Sequence, residues 1–350
     1  MHTKRLSTVD CSTLVSNVTA QIRTWHAQLL SYAGPIELVR AVIGGIQNFW
    51  SQIFCLPKKV LNLVDSACRK FIWTGRLEES KKSPVAWETM CLPKECGGLN
   101  LKNLAVWVKA AILKLLWNLE NKKDRLWVRW MHSYYIKSHN LLHCPIPRTS
   151  SWCARKILQL GDLVCCYGGW ALFLDSKHEF SIKKAYSLLL GEVQRVPWRK
   201  LISKNTACPK AVFTLWMSLH GRLNTATRIA RWNNDFDVNC KICNAFPESQ
   251  NHLFGECNFA KELWFIIFNF LASPIRFAGF EDQVALMICM AKKKTPLART
   301  ILSIWTEFIY EVWQQRNSNV FKGNMENPGS TARKIMFRVA CRTQSDVTIL

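Results

Sequence analysis

Acidic residues are scarce in this chain. Asp and Glu number 24 against 47 Lys and Arg, a formal charge of +23 over 350 residues. That excess goes beyond what solubility needs. It points to a polyanionic partner, with nucleic acid the commonest and an anionic membrane surface second. Long apolar runs are missing too. The most apolar uninterrupted stretch, LWFIIFNFLASPI from Leu263 to Ile275, lies between Glu262 and Arg276. It is too short to cross about 30 Å of hydrocarbon, so no membrane partner is expected. The N-terminus MHTKRLSTVDCSTLV has no apolar signal core. Secretion is therefore not expected, and the protein is placed inside the cell, in nucleus or cytoplasm. Gly97-Gly98 lacks the Gly-x-Gly spacing and the Lys-Ser/Thr of a phosphate loop. Histidines 132, 139 and 143 with Cys144 show no regular ligand or nucleophile spacing. No small-molecule substrate is expected.

What is present is apolar and helical. Apolar residues make up 49% and aromatics 11%, which excludes wholesale disorder. Apolar positions recur at helical spacing from Ile22 to Phe54, broken at Gly34-Pro35. Residues 1–20 read as polar and mixed. VLNLVDSACRKFIWTG reads as an amphipathic helix closed by Gly75. VAWETMCLPKECGGLNLKNL, with its Gly97-Gly98 turn, reads as a strand-like hairpin or extended loop. Leu104, Val108, Ala111, Leu115 and Leu119 mark one apolar face of a long helix. Ser181 is an N-cap, and a helix follows Pro209. Leu302, Trp305, Ile309 and Val312 share a face near the C-terminus. The fold class expected is mainly α.

The fifteen cysteines, in a reducing compartment, should be mostly buried free thiols with a few on metal. Cys165-Cys166 reads as bland. One group does not: CKICNAFPESQNHLFGEC, from Cys240 to Cys257, has the spacing C-x2-C-x8-H-x4-C. A CxxC turn folds two thiolates onto one cation, and His252 with Cys257 completes a tetrahedral Cys3His set. Four protein ligands leave no open position, so such a zinc is structural, replacing a core that the loop cannot build. A chance cluster in a cysteine-rich chain and a redox CxxC are the competing readings. The redox motif wants a helix start in a βαβ setting, which is not seen here.

The surrounding residues resemble a family. Trp198, Pro209-Lys210, Trp216, Arg222-Leu223-Asn224-Thr225, Cys240, Cys243, Glu248, His252-Leu253-Phe254 and Cys257 follow the pattern of the zinc-binding domain of plant non-LTR (LINE-type) retrotransposon reverse transcriptases. Ser249 stands where that family usually has Thr, and Pro35 where an Arg commonly follows Ala-Gly. The segments before and after resemble the stretch downstream of the polymerase palm and the extreme C-terminal helix of the same elements. The resemblance implies a thumb-like, connection-type helical region over 1–145. It implies a zinc-binding domain over 146–275, with its core at 180–270, and a helical extension over 276–350. Family polymerases hold Mg2+ on an Asp-Asp pair. The chain has no such pair, so palm and endonuclease are expected to be absent and no catalysis is expected.

The expected cofactor is one structural Zn2+ on Cys240, Cys243, His252 and Cys257. The expected partner is RNA or DNA, bound largely without regard to sequence. Candidate contacts are Lys210, Arg222, Arg228, Arg231 and Trp232 near the zinc loop, with Arg69, Lys70, Lys81 and Lys82 in the first half. Arg76, Lys94, Trp73 and Trp87 are further candidates for phosphate contact or base stacking. The rival readings are a protein-interaction module presenting tryptophans, and a decayed transposon remnant.

Overall fold

The computed structural model describes residues 9–25, 33–46, 56–75, 83–123, 125–147, 149–271, 279–293 and 295–343. Lys81, Lys82 and Arg76 lie outside them. Among the described residues there are helices, turns and two isolated bridges, Leu174 with Phe180 and Asn239 with Pro247, and no strand. The fold is mainly α, as the apolar spacing implies. Packing divides the chain into two compact units, residues 1–92 with 99–194, and residues 93–98 with 195–350. Residues 146–194 thus pack with the first unit and the C-terminal residues with the second, whereas the sequence reading divides at 145 and 275.

The first unit carries α1 (Ser12–Thr24), α2 (Ala33–Gly45), α3 (Lys58–Thr74), α4 (Trp87–Cys91), α5 (Leu104–Glu120), α6 (Leu126–Met131), α7 (Trp152–Leu158), α8 (Gly161–Cys166) and α9 (Ile182–Leu190). α5 is its axis and packs against α3, α6, α7 and α9. Asn103 caps it, accepting from the Val106 amide at 3.2 Å. One apolar stripe was expected of α5. It also buries Ala110, Ile112, Leu113 and Leu116, and Leu115 is only half-buried. A helix surrounded by four others needs apolar residues almost all round. α3 ends as the sequence indicates: Gly75 takes φ +73° and its amide closes on Phe71 O at 2.9 Å. Ser181 caps α9 by accepting from Lys184 N.

Three expectations need correction. α1 begins at Ser12, inside the stretch read as polar, and buries Leu14, Val18 and Ile22. Gly34 and Pro35 do not separate helices but sit in the first turn of α2, where proline lacks no bond it would have made. The 85–104 stretch is not a strand hairpin. It is α4, a 3-10 turn at Lys94–Cys96 and an extended return whose Leu99 amide donates to Met90 O at 3.0 Å. Its alternation fails because Trp87, Met90 and Cys91 are buried together, which a helical turn achieves and a strand does not. Trp87, 4% exposed, is core and no base-stacking platform.

The second unit carries α10 (Arg199–Ser203), α11 (Pro209–Leu219), α12 (Ala226–Ile229), α13 (Asn258–Phe270), α14 (Phe280–Lys292), α15 (Pro296–Lys322) and α16 (Pro328–Thr343). α15 is the spine, with Thr295 as N-cap, Pro296 in the first turn and Gly323 at φ +62° as stop. It packs against α11, α14 and α16, and α13 lies on α16. Leu302, Trp305, Ile309 and Val312 are buried as expected, but so are Thr306, Glu307, Glu311, Gln315 and Arg316. Those polar residues organise the unit.

Candidate metal centre

The loop after α12 turns twice. Cys240 N donates to Phe246 O at 2.7 Å, and Asn244, at φ +54°, returns its amide to Cys240 O at 2.8 Å. This is the tight turn that the CxxC spacing demands. The second pair comes from one turn of π-helix, His252–Glu256, closed by Cys257 N on His252 O at 2.7 Å. The Ser249 hydroxyl accepts from His252 N at 3.0 Å. A threonine would offer the same oxygen, so the departure from the family's Thr is chemically silent here.

The two turns meet. One ligand atom from each of Cys240, Cys243, His252 and Cys257 lies within 4.8 Å of all the others. Cys243 Sγ is 3.3 Å from His252 Nε2. A tetrahedral zinc with bonds of about 2.0–2.3 Å spaces its ligand atoms by about 3.5–3.8 Å, so the set fits with a contraction of at most about 1 Å. Cys240, Cys257 and His252 are buried and Cys243 half-buried, so the centre is closed to water. The Cys240 thiol is held down at about 5 by the Cys257 thiol and by the amides of Cys243 and Ile242, against the opposing effect of burial. Cys257 is pushed up, first by its hydrogen bond with Cys240 and then by burial. His252 Nδ1 faces Glu256 Oε2 at 3.9 Å, which leaves Nε2 for the metal.

Around this core runs a polar frame. Glu248 is fully buried inside the zinc loop. Its carboxylate accepts from Arg316 Nη2 at 2.8 Å and Nε at 3.1 and 3.2 Å, from Ala226 N at 2.8 Å and from Lys241 N at 3.0 Å. One side chain thereby joins α12, the CxxC turn and α15. On the other side Gln283 donates to Phe254 O at 2.8 Å and accepts from Trp305 Nε1 at 3.0 Å. Gly255 packs so closely on Gly279 that a Cβ would meet its Cα at 2.7 Å. The sequence marked Glu248 only as a family position and did not mark Arg316 or Gln283. A lone Arg inside the polar run QQRN gives no sign that it is buried.

The structure gathers part of the basic set. Arg222 is exposed just past α11, Arg228 lies on α12, and Arg231 and Trp232 are exposed immediately after it. The Arg228 guanidinium lies 5.6 Å from the Trp232 ring centre and donates to Arg222 O and, at 3.1 Å, to Asn224 Oδ1. Its pKa is lowered, first by burial and then by the charges of Arg222 and Arg231. Trp232 is the one tryptophan classed as exposed among the described residues. Lys210 is exposed in the first turn of α11, at the opposite end from Arg222. Arg69 (exposed) and Lys70 (half-buried) belong to α3 in the first unit, not to this edge. His132 and His143 are separately engaged, with Leu119 O at 2.9 Å and with Cys165 Sγ at 3.8 Å.

Comparison with known proteins agrees with this geometry. Residues 180–264 match the family model described as zinc-binding in reverse transcriptase. An Arabidopsis thaliana protein named for ribonuclease H is 29% identical over 172 residues, 48% of this chain and 27% of that protein. An uncharacterized mitochondrial protein of the same plant is 27% identical over 112 residues, 32% of this chain and 73% of its own length. The chain therefore spans about a quarter of the first relative. No helix among the described residues is long and apolar enough to cross a membrane. The closed Cys3His geometry and the matched family together give one structural zinc. Residues 180–264 carry the zinc-binding domain of reverse transcriptases, and the chain is similar to plant proteins over part of its length.

Proposed function

We propose that this chain is a non-catalytic, zinc-stabilised nucleic-acid-binding fragment of a retrotransposon reverse transcriptase, acting inside the cell. Cys240, Cys243, His252 and Cys257 are the zinc ligands. The edge formed by Arg222, Arg228, Arg231 and Trp232 meets RNA or DNA. The observation that carries this reading is the Glu248 carboxylate. It anchors the first residue of α12 to the loop that zinc closes, so the metal holds the basic helix in place. The Arg228 guanidinium lies 5.6 Å from the exposed Trp232 ring, with Arg222 and Arg231 exposed on the same short stretch, a combination that pairs phosphates with base stacking. Tryptophan presentation to a protein partner finds less support, because Trp87, Trp216, Trp264 and Trp305 are buried.

Fluorescence anisotropy with a labelled single-stranded RNA and the matching DNA, at 50 and 200 mM salt, tests the proposal. Affinity should fall steeply with salt. The pair Arg222→Gln and Arg231→Gln should weaken binding to every sequence and reduce the salt slope by about 1.4. Trp232→Ala should cost about 1–3 kcal/mol at any salt concentration. Salt-independent binding, or none, would reject the reading.

A further inference from the structure

A groove of about 540 Å³ opens in the first unit, over α5 and between the start of α3 and the α7 region. That volume is in the range of ligand sites. Ala105, Val108, Lys109 and Ile112 of α5 line it. Their spacing, i, i+3, i+4 and i+7, is one face of a helix. Most of α5 is covered, but on this stripe Ala105 and Lys109 are exposed. Leu56 and Leu61, from α3 and its approach, complete an apolar slot with Trp152 and Leu160, from α7 and the turn after it.

The rim is cationic. Lys58, Lys109 and Lys156, one from each helix, are exposed around the slot, and no acidic side chain lines it. The single acid of α5, Glu120, is its last residue, and α7 has none. α3 starts at Lys58 with no side-chain cap and no acid in its first turn. The positive end of its dipole therefore adds to the Lys58 charge. Lys156 Nζ donates to Gln159 Oε1 at 3.2 Å, which holds it along the rim.

The floor decides what kind of anion fits. It is aliphatic apart from one indole, so it offers a single ring face where a run of stacked bases would need several. Apolar side chains projecting from one face of a helix match a slot whose own floor repeats at helical spacing, the arrangement of helix-in-groove recognition. Carboxylates beside those anchors meet the three ammonium groups and the uncapped end of α3.

We propose that this groove docks an acidic amphipathic helix of a partner protein, its apolar anchors on Val108, Ile112 and Leu61 and its carboxylates on Lys58, Lys109 and Lys156. The site uses no zinc ligand. It does not rest on the nucleic-acid reading of the Arg222–Trp232 edge.

The test uses the zinc-loaded full chain and a panel of labelled helical peptides of about fifteen residues. Their anchors at i, i+3, i+4 and i+7 are Leu, Ile or Phe, and Glu fills the flanking positions. A peptide with Lys in place of every Glu and one with the same residues scrambled are the comparisons, and a single-stranded oligonucleotide is the competitor. One variant is Lys58→Gln/Lys109→Gln/Lys156→Gln. Ala105→Trp fills the slot from an exposed position. The control, Lys114→Gln/Lys123→Gln/Lys183→Gln, removes exposed cations of the same unit that do not line the groove. Circular dichroism confirms that all three fold. Wild type and control should bind an acidic amphipathic peptide and neither comparison peptide. The lysine variant should bind it about tenfold more weakly, as the loss of three exposed ion pairs implies, and Ala105→Trp should lose it. No binding to any acidic peptide, or equal binding by wild type and both groove variants, would overturn the proposal. So would an oligonucleotide that displaces the peptide and is itself lost in Ala105→Trp, since the slot would then belong to nucleic acid.

Discussion

The two compact units reach stability by different means. The first is a set of helices around α5, whose side chains are almost all apolar where they are covered. Its thiols Cys68 and Cys91 are buried, and burial, the largest influence, pushes both up. The second is tied through its middle by polar and metal-ligating groups: the Cys3His centre, Glu248 with Arg316, and Gln283 between Phe254 and Trp305. An apolar core tolerates gradual loss. A buried polar frame does not, because each removed partner leaves a charge or a donor without solvent.

Zinc removal should give the sharpest break between the units. Chelation, or Cys240→Ser, should cost the second unit on the order of 10 kcal/mol and abolish its thermal transition. The transition of the first unit should stay in place. Calorimetry with zinc counted by elemental analysis checks both. If Cys240→Ser left stability and metal content unchanged, the ligand assignment would be wrong.

Arg316→Ala comes next. It strands the fully buried Glu248 carboxylate and should destabilise the second unit by about 3–5 kcal/mol. It should also loosen zinc binding, since Glu248 braces the CxxC turn through Lys241 N. Denaturant unfolding with a zinc-competition dye reads the two effects together.

Leu113→Ala, at a fully buried position of α5, should cost the first unit about 2–5 kcal/mol. Zinc stoichiometry should remain one. A coupled loss of zinc would show that the units do not behave independently.

The smallest effect separates the units by sign. Burial raises the Asp65 carboxyl to about 7, helped by Glu88 and opposed by Trp87 and Arg69. In the unfolded chain the group titrates near 3.9. Between pH 4 and pH 7 the unfolded chain loses this proton while the folded one keeps it, so the first unit should lose stability as pH rises. After discounting for partial exposure, the change is roughly 1–3 kcal/mol. Asp65→Asn should abolish it in unfolding titrations from pH 4 to 8. The second unit should run the other way, because its zinc ligands must be deprotonated and acid releases the metal.

Much of the metal centre was legible in the sequence. Its ligands lie within eighteen residues, and their spacing is a local property of two turns. Helices marked by caps and by one-sided apolar spacing, such as those closed by Gly75 or begun at Ser181 and Pro209, were legible for the same reason. The 85–104 stretch misled because alternation over a few residues does not separate a strand from a helical turn with everything buried. Trp87 misled because charges beside it in sequence say nothing of the direction its ring takes.

By itself, then, the sequence determined the helical class, the closed Cys3His set, the basic excess and the family of the zinc domain, all of which rest on local spacing or composition. Only the tertiary structure decided that Arg316, sixty-eight positions beyond Glu248, closes the frame around the zinc loop. The same holds for Gln283, which joins Phe254 O to the indole of Trp305. Those are meetings between distant elements, set by which helix faces α15 buries. No short-range pattern records the direction in which a distant side chain points.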